Sequence, residues 1–301
     1  MLPLAIDFPQ IDPNAFVIPG LNLPIRWYAL AYIAGLLAGW QIIVALMKAP
    51  RLWGGQAPMP AKQVEDLLTW VIVGVILGGR LGFVLFYDFG WYLAHPLEIF
   101  MVWKGGMAFH GGFLGVVVAV WLYCRRHGLA VWSIGDAAAL VAPIGLLLGR
   151  IANFIKPELW GHPTDMPWGV IFPGEAAQTC LGLAGQVDGM CARHPSQLYE
   201  GGLEGIVLGI LLWILVSRGL LRRPGGACGI FLIGYGCSRA FVELFRQADP
   251  QFVTPTDPMG YVVQFGQYGL SMGQLLSLPM IAIGIVLVLR ALRRPKVGTA
   301  A

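Results

Sequence analysis

Three arginines lie inside stretches of the chain that are otherwise almost entirely apolar: Arg80, Arg150 and Arg239. An arginine at membrane depth costs at least about 2.5–3.5 kcal/mol on insertion scales, so it usually has a functional reason to be there. Because a guanidinium binds phosphate through two parallel hydrogen bonds, these residues point to a phosphate-bearing ligand. The alternative is a side chain that extends from a helix end to the interface.

Two polar clusters accompany these arginines in the first half of the chain. Residues 105–112 hold His110 between two pairs of glycines. Histidine side chains commonly act as general bases near neutral pH, so His110 could do so, or it could cap or pack a helix end. In residues 149–161, Asn153 follows Arg150 by three residues, so the two share a helix face.

Two further polar clusters follow in the second half. Residues 193–200 include His194 and Tyr199, and the tyrosine could alternatively be an interfacial anchor. Arg239 and Glu243 are spaced i,i+4, and Arg246 continues the same helix face. A buried ion pair that locks helices together is the structural alternative for Glu243.

The composition predicts an integral membrane protein. Residues of the AVILMFWYC set make up 57% of the 301 residues, and charged residues make up 12%, against roughly 25% charged in soluble domains. No soluble core could bury that much apolar surface, so lipid must surround most of the chain. The net charge of +4 does not suggest a polyanionic partner, and we expect no nucleic-acid binding.

Seven stretches are long and apolar enough to cross a bilayer, for which a helix needs about 20 residues. We therefore predict an all-α polytopic protein whose residues 1–301 form a single membrane domain with seven transmembrane helices. The predicted spans are 28–47, 67–87, 109–124, 134–155, 198–216, 228–245 and 273–289.

The basic residues predict the orientation, because cytoplasmic loops carry an excess of Lys and Arg. Twelve of the 20 Lys and Arg residues lie on alternate connections and the C-terminal tail, and five lie on the opposite connections. We expect the N-terminus outside and the C-terminus in the cytoplasm. This orientation brings Tyr28, His110, Arg150 and Arg239 to the depth of the outer leaflet, which favours one shared site.

The longest connection, residues 156–197, is predicted to form a small extracytoplasmic head segment. It contains Cys180 and Cys191, and an extracytoplasmic compartment permits disulfides. A bond between these two cysteines is expected, although the sequence does not give their separation. The other cysteines, Cys124, Cys228 and Cys237, are expected to be free thiols.

Several chemistries lack their motifs in this sequence. There is no Gly-x-Ser-x-Gly elbow for a serine hydrolase. There is also no His-Glu-x-x-His or Cys-x-x-Cys pattern for a metal, and no Gly-rich loop for a nucleotide. We therefore expect neither a metal nor another cofactor.

The clusters resemble those of the prolipoprotein diacylglyceryl transferase family over nearly the whole chain. The most specific match is residues 149–161, which are similar to the family signature. One departure is Lys156-Pro157, where the family usually has Asn-Gly. Further matching segments are 26–28, 78–82, 110–112, 194–200, 234–246 and 271–274.

The resemblance implies an enzyme of bacterial lipoprotein modification. The family transfers the diacylglyceryl group of phosphatidylglycerol to the thiol of the lipobox cysteine in an exported prolipoprotein, which yields a thioether and glycerol phosphate. The expected partners are phosphatidylglycerol and prolipoprotein signal peptides that bear a lipobox cysteine. The expected location is the bacterial inner (plasma) membrane, with a monomer whose active site faces the outer leaflet.

The residue types suit this reaction. A thiol with pKa ~8.5 is mostly protonated near pH 7, and forming the thiolate costs about 2 kcal/mol; His110 is the expected base. Roughly two negative charges collect on the leaving phosphate, and Arg150 and Arg239 are expected to compensate them as catalytic residues. The predicted substrate-binding residues are Tyr28, Arg80, Asn153, Glu158, Gly161, His194, Tyr199, Glu243 and Arg246.

Two other classes of protein fit parts of this pattern. A transporter of an anionic substrate would line its path with Arg80, Arg150 and Arg239, but it predicts charged residues spread through both leaflets. A membrane scaffold without catalysis does not explain His110 beside two intramembrane arginines. Measuring lipid transfer to a lipobox peptide would discriminate among these classes.

Overall fold

A computed structural model describes residues 5–20, 22–180, 185–187, 189–248, 252–254, 257, 259–266 and 268–295. Within these residues the chain is mostly helical. The helices are α1 (Trp27–Met47), α2 (Gln63–Phe86), α3 (Phe89–Ala94), α4 (Phe109–His127), α5 (Val131–Ile155), α6 (Ser196–Glu200), α7 (Leu208–Ser217), α8 (Gly226–Val242) and α9 (Met272–Arg293).

Five helices are long and apolar enough to cross a membrane, so the chain is a polytopic membrane protein. They are α1, α2, α5, α9 and the continuous helix Ser196–Ser217, in which a π-helical segment (Gly201–Val207) joins α6 to α7. Helices α4 and α8 occupy the other two predicted stretches. That these two also cross the membrane stays a prediction.

The prediction of an all-α fold is wrong in one respect, because the described residues also contain short β-strands. Their two to five residues are too few to give a clear period-two pattern in the sequence. One sheet has the order β1-β4-β6-β5, with β1 parallel to β4 and the other pairs antiparallel; β2 pairs with β3 and β7 with β8, both antiparallel. The strands are β1 (Ile6–Asp7), β2 (Asn14–Ile18), β3 (Leu23–Arg26), β4 (Val170–Ile171), β5 (Gln186–Val187), β6 (Met190–Arg193), β7 (Val263–Phe265) and β8 (Tyr268–Leu270).

The four-stranded sheet occupies the segment between α5 and α6. Strand β1 of this sheet, here called the head sheet, comes from the N-terminal region and therefore lies outside the predicted 156–197 segment. Cys180 and Cys191 form a disulfide, which confirms the expected bond. Residues 181–184 and 188 of that segment lie outside the described residues. Cys124, Cys228 and Cys237 are free, as predicted.

Helices α2 and α4 pack backbone against backbone. A Cβ atom on Gly74 would lie 2.6 Å from the carbonyl oxygen of Gly115, and Cβ atoms on Gly78 and Gly111 would overlap each other's carbonyl oxygens. Small residues spaced four apart allow this close approach between membrane helices. The first turn of α4, which carries His110, is therefore fixed at the height of the Gly78 turn of α2.

The carboxylate of Asp136 joins α5 to α8. Asp136 is fully buried and accepts the backbone N–H groups of Gly225 at 2.7 Å and Cys228 at 2.8 Å. These N–H groups belong to the first turn of α8, where a helix leaves its donors without internal partners. The two helices that carry Arg150 and Arg239 thus share one anchor near their N-termini.

The basic connections that are predicted to face the cytoplasm meet at one end of the molecule. Arg222 Nη2 donates to the carbonyl oxygen of Arg51 at 3.2 Å. Arg223 Nη1 donates to the carbonyl oxygen of Leu292 at 2.9 Å. The C-terminal ends of α1 and α9 and the connection from α7 to α8 therefore lie together.

Candidate active site

Arg150 and Arg239 converge on the carboxylate of Glu200. Arg150 Nε lies 2.6 Å from Glu200 Oε2, and Arg239 Nη1 donates to Glu200 Oε1. The Glu200 side chain is 2% exposed, against 18% for Arg150 and 14% for Arg239. One buried carboxylate on the last residue of α6 therefore holds a guanidinium from α5 and one from α8 at the same depth.

A second carboxylate extends this network toward α9. Glu243 Oε1 pairs with Arg239 Nη2 and lies 3.3 Å from Arg246 Nη1. Its other oxygen, Oε2, accepts a hydrogen bond of 2.7 Å from Ser271 Oγ at the start of α9. A side chain on Gly273 would overlap the Glu243 carboxylate, so the close approach of α9 requires glycine there.

Glu204 lies one turn below Glu200 in the π-helical segment. Its side chain is 0% exposed, and its Oε2 is 4.0 Å from Arg150 Nη2. Neither carboxylate oxygen has a hydrogen-bond partner among the described residues. Gly201 and Gly205 allow this segment to approach α5 closely, because a Cβ on Gly205 would lie 2.7 Å from Leu147 Cβ. Glu204 thus places a second buried carboxylate next to Arg150, one helical turn from Glu200.

The turn that follows α5, residues 156–161, is here called the signature turn. Hydrogen bonds and an ion pair between nearby side chains stabilise it. Asn153 Nδ2 donates to Glu158 Oε1 at 2.9 Å, and Lys156 Nζ lies 2.6 Å from Glu158 Oε2. Lys156 therefore forms an ion pair with Glu158 in this turn. The turn then passes through Leu159, whose backbone φ of +61° is unusual for a residue with a side chain.

Residues at the start of α6 fix this turn from the other side. Gln197 Nε2 donates to the carbonyl oxygen of Glu158 at 2.6 Å, and Ser196 Oγ donates to that of Leu159 at 2.9 Å. Both side chains are buried. The cluster at residues 193–200 therefore positions the signature turn as well as supplying Glu200.

Gly161, His194 and Arg246 meet beyond this turn. The N–H of Gly161 donates to the carbonyl oxygen of His194 at 2.8 Å, and Gly161 forms a β-bridge with Arg246. A Cβ atom on Gly161 would overlap the carbonyl oxygen of Phe245. Glycine is therefore required where the signature turn crosses the end of α8.

His194 and Tyr199 lie at the edge of the site. His194 Nδ1 is 3.0 Å from the hydroxyl of Tyr199, which also accepts a hydrogen bond of 2.8 Å from Trp168 Nε1. Burial lowers the pKa of His194, which outweighs the opposite effect of Asp165. The half-buried imidazole therefore favours its neutral form.

Tyr28 lies on the first turn of α1, which packs against α5. Its hydroxyl is 3.1 Å from the hydroxyl of Tyr32. Tyr32 in turn lies within electrostatic range of Arg150 and Glu158. The two tyrosines thus lie on the α1 side of Arg150, and a substrate-binding role for Tyr28 stays a prediction.

Arg80 binds backbone carbonyl groups in the connection from α2 to α4. Its side chain is buried; Nε donates to Ile99 O at 2.8 Å, and Nη1 donates to Gly105 O at 2.6 Å and Gly106 O at 3.1 Å. These contacts position the loop that leads into His110. The predicted substrate contact of Arg80 stays a prediction, whereas its observed contacts give it a role in organising this loop.

His110 lies exposed on the first turn of α4. Helix α4 packs most extensively against α2, and Ala108 N–H donates to Gly79 O at 2.9 Å. The His110 imidazole is therefore carried by the α2–α4 pair, whereas the arginines are carried by α5 and α8. Its role as the base stays a prediction.

Four residues that hold the site together were not predicted from the sequence: Glu200, Glu204, Ser271 and Asp136. A signal for the first two was present, because two acidic residues four apart in an apolar stretch need cationic partners at membrane depth. The intramembrane arginines were the available partners. Ser271 and Asp136 act across helix contacts that no local pattern reveals.

Comparison with known proteins agrees with the resemblance seen in the sequence. The family profile described as prolipoprotein diacylglyceryl transferase matches residues 13–290. The chain belongs to this family. A phosphatidylglycerol–prolipoprotein diacylglyceryl transferase from Cereibacter sphaeroides is 58% identical, over 96% of this chain and 98% of the relative. Those from Ruegeria pomeroyi and Methylocella silvestris are 58% and 50% identical, over 95% and 98% of this chain and 97% and 99% of the relatives.

Membership of the prolipoprotein diacylglyceryl transferase family confirms the predicted family and enzyme class. It does not assign roles to individual residues.

Proposed function

We propose that this protein transfers the diacylglyceryl group of phosphatidylglycerol to the lipobox cysteine of a prolipoprotein. The relatives are named for phosphatidylglycerol and prolipoprotein. The observation that carries the proposal is the convergence of Arg150 and Arg239 on Glu200 among apolar helices. This arrangement suits a phosphate that is attached to a lipid.

The arginine pair retains donors for a phosphate. Each guanidinium has five N–H donors, and Arg150 uses its Nε on Glu200. Arg239 uses one nitrogen on Glu200 and another on Glu243. The carboxylates hold both forks in place before substrate arrives, so little reorganisation is needed when charge develops on the phosphate.

The proposed reaction forms one carbon–sulfur bond and breaks one carbon–oxygen bond. His110 takes the proton from the cysteine thiol. The thiolate then attacks the glyceryl carbon that bears the phosphate, and the electron pair of the broken bond moves to the phosphate oxygen. The leaving glycerol phosphate carries the charge that Arg150 and Arg239 compensate.

We also propose the orientation in which the site faces the outer leaflet of the inner membrane. All seven predicted spans would cross, with the N-terminus outside and the C-terminus in the cytoplasm. The contact between Arg222 and the Arg51 carbonyl supports this, because the basic connections share one end. The site and the head sheet would then lie on the outer side of the inner membrane. We also propose that the chain forms a single domain and acts as a monomer.

The test is a transfer assay with purified protein, phosphatidylglycerol and a peptide that contains a lipobox. The expected result is a peptide whose mass rises by one diacylglyceryl group, with release of glycerol phosphate. A peptide with serine in place of the cysteine is the control. Transport of phosphatidylglycerol or another anion without modification of the peptide would contradict the proposal.

A further inference from the structure

A small cavity lies at the end of the molecule opposite the candidate active site. It has a volume of about 180 Å³ and is formed where the turn after α1 meets the turn after α7. The residues that line it are Arg51, Leu52, Val216, Ser217, Arg218, Gly219 and Arg222.

The side chains that line this cavity carry a net positive charge, and no carboxylate of the described residues neutralises it. Three of the lining residues are arginines, and no lining residue is acidic. Within the described part of the chain, Arg51, Arg218 and Arg222 form no ion pair with a carboxylate. Arg51 and Arg218 are exposed and Arg222 is half-buried, so three positive charges face one open pocket and attract an anion to it.

Arg222 adds an independent indication of a missing partner. Its Nη2 donates to the carbonyl oxygen of Arg51 at 3.2 Å, which holds the guanidinium over the turn. Its Nε is buried and has no hydrogen-bond partner among the residues that the structure describes. A buried N–H without a partner is unfavourable, so an oxygen ligand would relieve this cost.

We propose that this cavity binds one phosphate group, which the three arginines hold by charge-assisted hydrogen bonds. Guanidinium groups match the oxygens of a phosphate. The cavity lies where α1 and α7 end, at Met47 and Ser217, which is the level of lipid headgroups. The phosphate could belong to an anionic phospholipid or to a soluble phosphate, and the experiment distinguishes them.

A bound phosphate would clamp α1 to α7. Arg51 belongs to the turn that follows α1, and Arg218 and Arg222 follow α7. Helix α1 carries Tyr28, and α7 continues the helix that carries Glu200. A ligand here stabilises the folded state by mass action without touching the candidate active site. The proposal does not depend on the transfer reaction.

The experiment counts bound lipids by native mass spectrometry of delipidated full-length protein. Phosphatidylglycerol is added to the parent protein and to the triple variant Arg51→Gln, Arg218→Gln and Arg222→Gln. The triple variant should bind one phosphatidylglycerol fewer, with transfer activity near the parental level. The double variant Arg125→Gln and Arg126→Gln, basic residues at the end of α4, is the matched control and should lose none.

A second measurement distinguishes a lipid phosphate from a soluble one, and it also shows whether the variants are folded. Thermal unfolding is measured with inorganic phosphate and with chloride at equal ionic strength. Stabilisation of the parent by phosphate, absent from the triple variant, assigns a soluble ligand; stabilisation by phosphatidylglycerol alone assigns a lipid. Arg51→Gln alone, at an exposed side chain, should weaken binding about tenfold. The proposal is overturned if the triple variant loses neither a bound phosphatidylglycerol nor the stabilisation by phosphate, or if the control variant loses as much as the triple variant.

Discussion

Asp136 and Gly225 are joined by a hydrogen bond of 2.7 Å, and each precedes one of the two site arginines by fourteen residues. Arg150 follows Asp136 on α5, and Arg239 follows Gly225 on α8. At a rise of 1.5 Å per residue both arginines stand about 21 Å from this shared anchor. Equal lengths of helix therefore bring the two guanidiniums to the depth at which Glu200 accepts both.

Replacing Asp136 by alanine should impair transfer without removing any site residue. The change leaves the N–H groups of Gly225 and Cys228 buried without their acceptor, at a cost of about 1–3 kcal/mol each. We expect a lower unfolding temperature and a transfer rate reduced by at least about tenfold. Asp136→Asn, which keeps one acceptor oxygen, should recover part of both.

The measurement is initial transfer rate at matched protein level, together with thermal unfolding in detergent. Asp66→Asn, at an exposed acidic residue in the first turn of α2, is the matched control and should change neither quantity. Parental rate and stability in Asp136→Ala would show that the anchor does not set the depth of the arginines.

Glu200 and Glu204 should respond differently to the same substitution. Glu200→Gln places an amide NH₂ group against two guanidiniums and leaves them short of a negative charge, which costs about 3–5 kcal/mol when a buried ion pair is broken. Transfer should fall at least tenfold. Glu204 accepts no hydrogen bond within the described residues, so Glu204→Gln should keep most activity. Equal losses in the two variants, assayed side by side, would contradict this assignment.

Arg150→Lys and Arg239→Lys should each fail nearly as badly as the corresponding glutamine variants. Lysine keeps the positive charge but replaces a planar fork with a point charge. A single ammonium cannot bind Glu200 and phosphate with the geometry of the guanidinium. Initial transfer rates in membranes provide the test. Arg246→Lys is the comparison, because Arg246 contacts Glu243, with Nη1 3.3 Å from Oε1, and does not pair with Glu200 among the described residues. Near-parental rates for both lysine variants would leave electrostatic attraction as their role.

His110→Gln should retain phosphatidylglycerol binding and lose most transfer. Glutamine keeps a polar side chain but cannot accept a proton near neutral pH. Binding is measured with the lipid alone, and transfer is measured from about pH 6 to about pH 9, where the thiol ionises without help. A rate that recovers at high pH supports a base role. A parental rate at neutral pH would assign the deprotonation to another group.

The head sheet should lose stability in mild acid. Burial lowers the pKa of His162, with a further contribution from Arg193, and burial also lowers the pKa of His194. Since the unfolded pKa is about 6.5, the unfolded segment binds more protons as the pH falls below that value. The stability that the two neutral histidines contribute is therefore fully present above about pH 6.5. It decreases as the pH falls toward the lowered pKa values of His162 and His194.

Hydrogen exchange of strands β4 and β6 measures this effect, after correction for the intrinsic pH dependence of exchange. Protection should decrease between about pH 7 and about pH 5.5. The double variant His162→Gln and His194→Gln should flatten the dependence. The same decrease in the double variant would assign the effect to other groups.

The positions of the long helices could be predicted because membrane helices need about 20 apolar residues, a signal that is local in the sequence. The pairing of Arg150 with Arg239 was also accessible, since both fall at one end of their predicted spans. For Glu200 the sequence signals only the need for a cationic partner; that it contacts both arginines depends on how α6 packs between α5 and α8. The head sheet was missed for a related reason, as its two-residue strand β1 pairs with β4 from more than 160 residues away.

The glycine contact between α2 and α4 has a mechanical consequence. Where carbonyl groups meet glycine backbones, no side chain is available to change rotamer and absorb a displacement. The two helices therefore move as one rigid body, and Arg80 extends that body to the loop before His110 through its bonds to backbone carbonyl groups. Any motion that brings the imidazole toward the arginines, or takes it away, must carry both helices along. The spacing between His110 and the arginine pair is thus set by how the α2–α4 pair meets the helices that carry Arg150 and Arg239, rather than by the rotamer of one histidine.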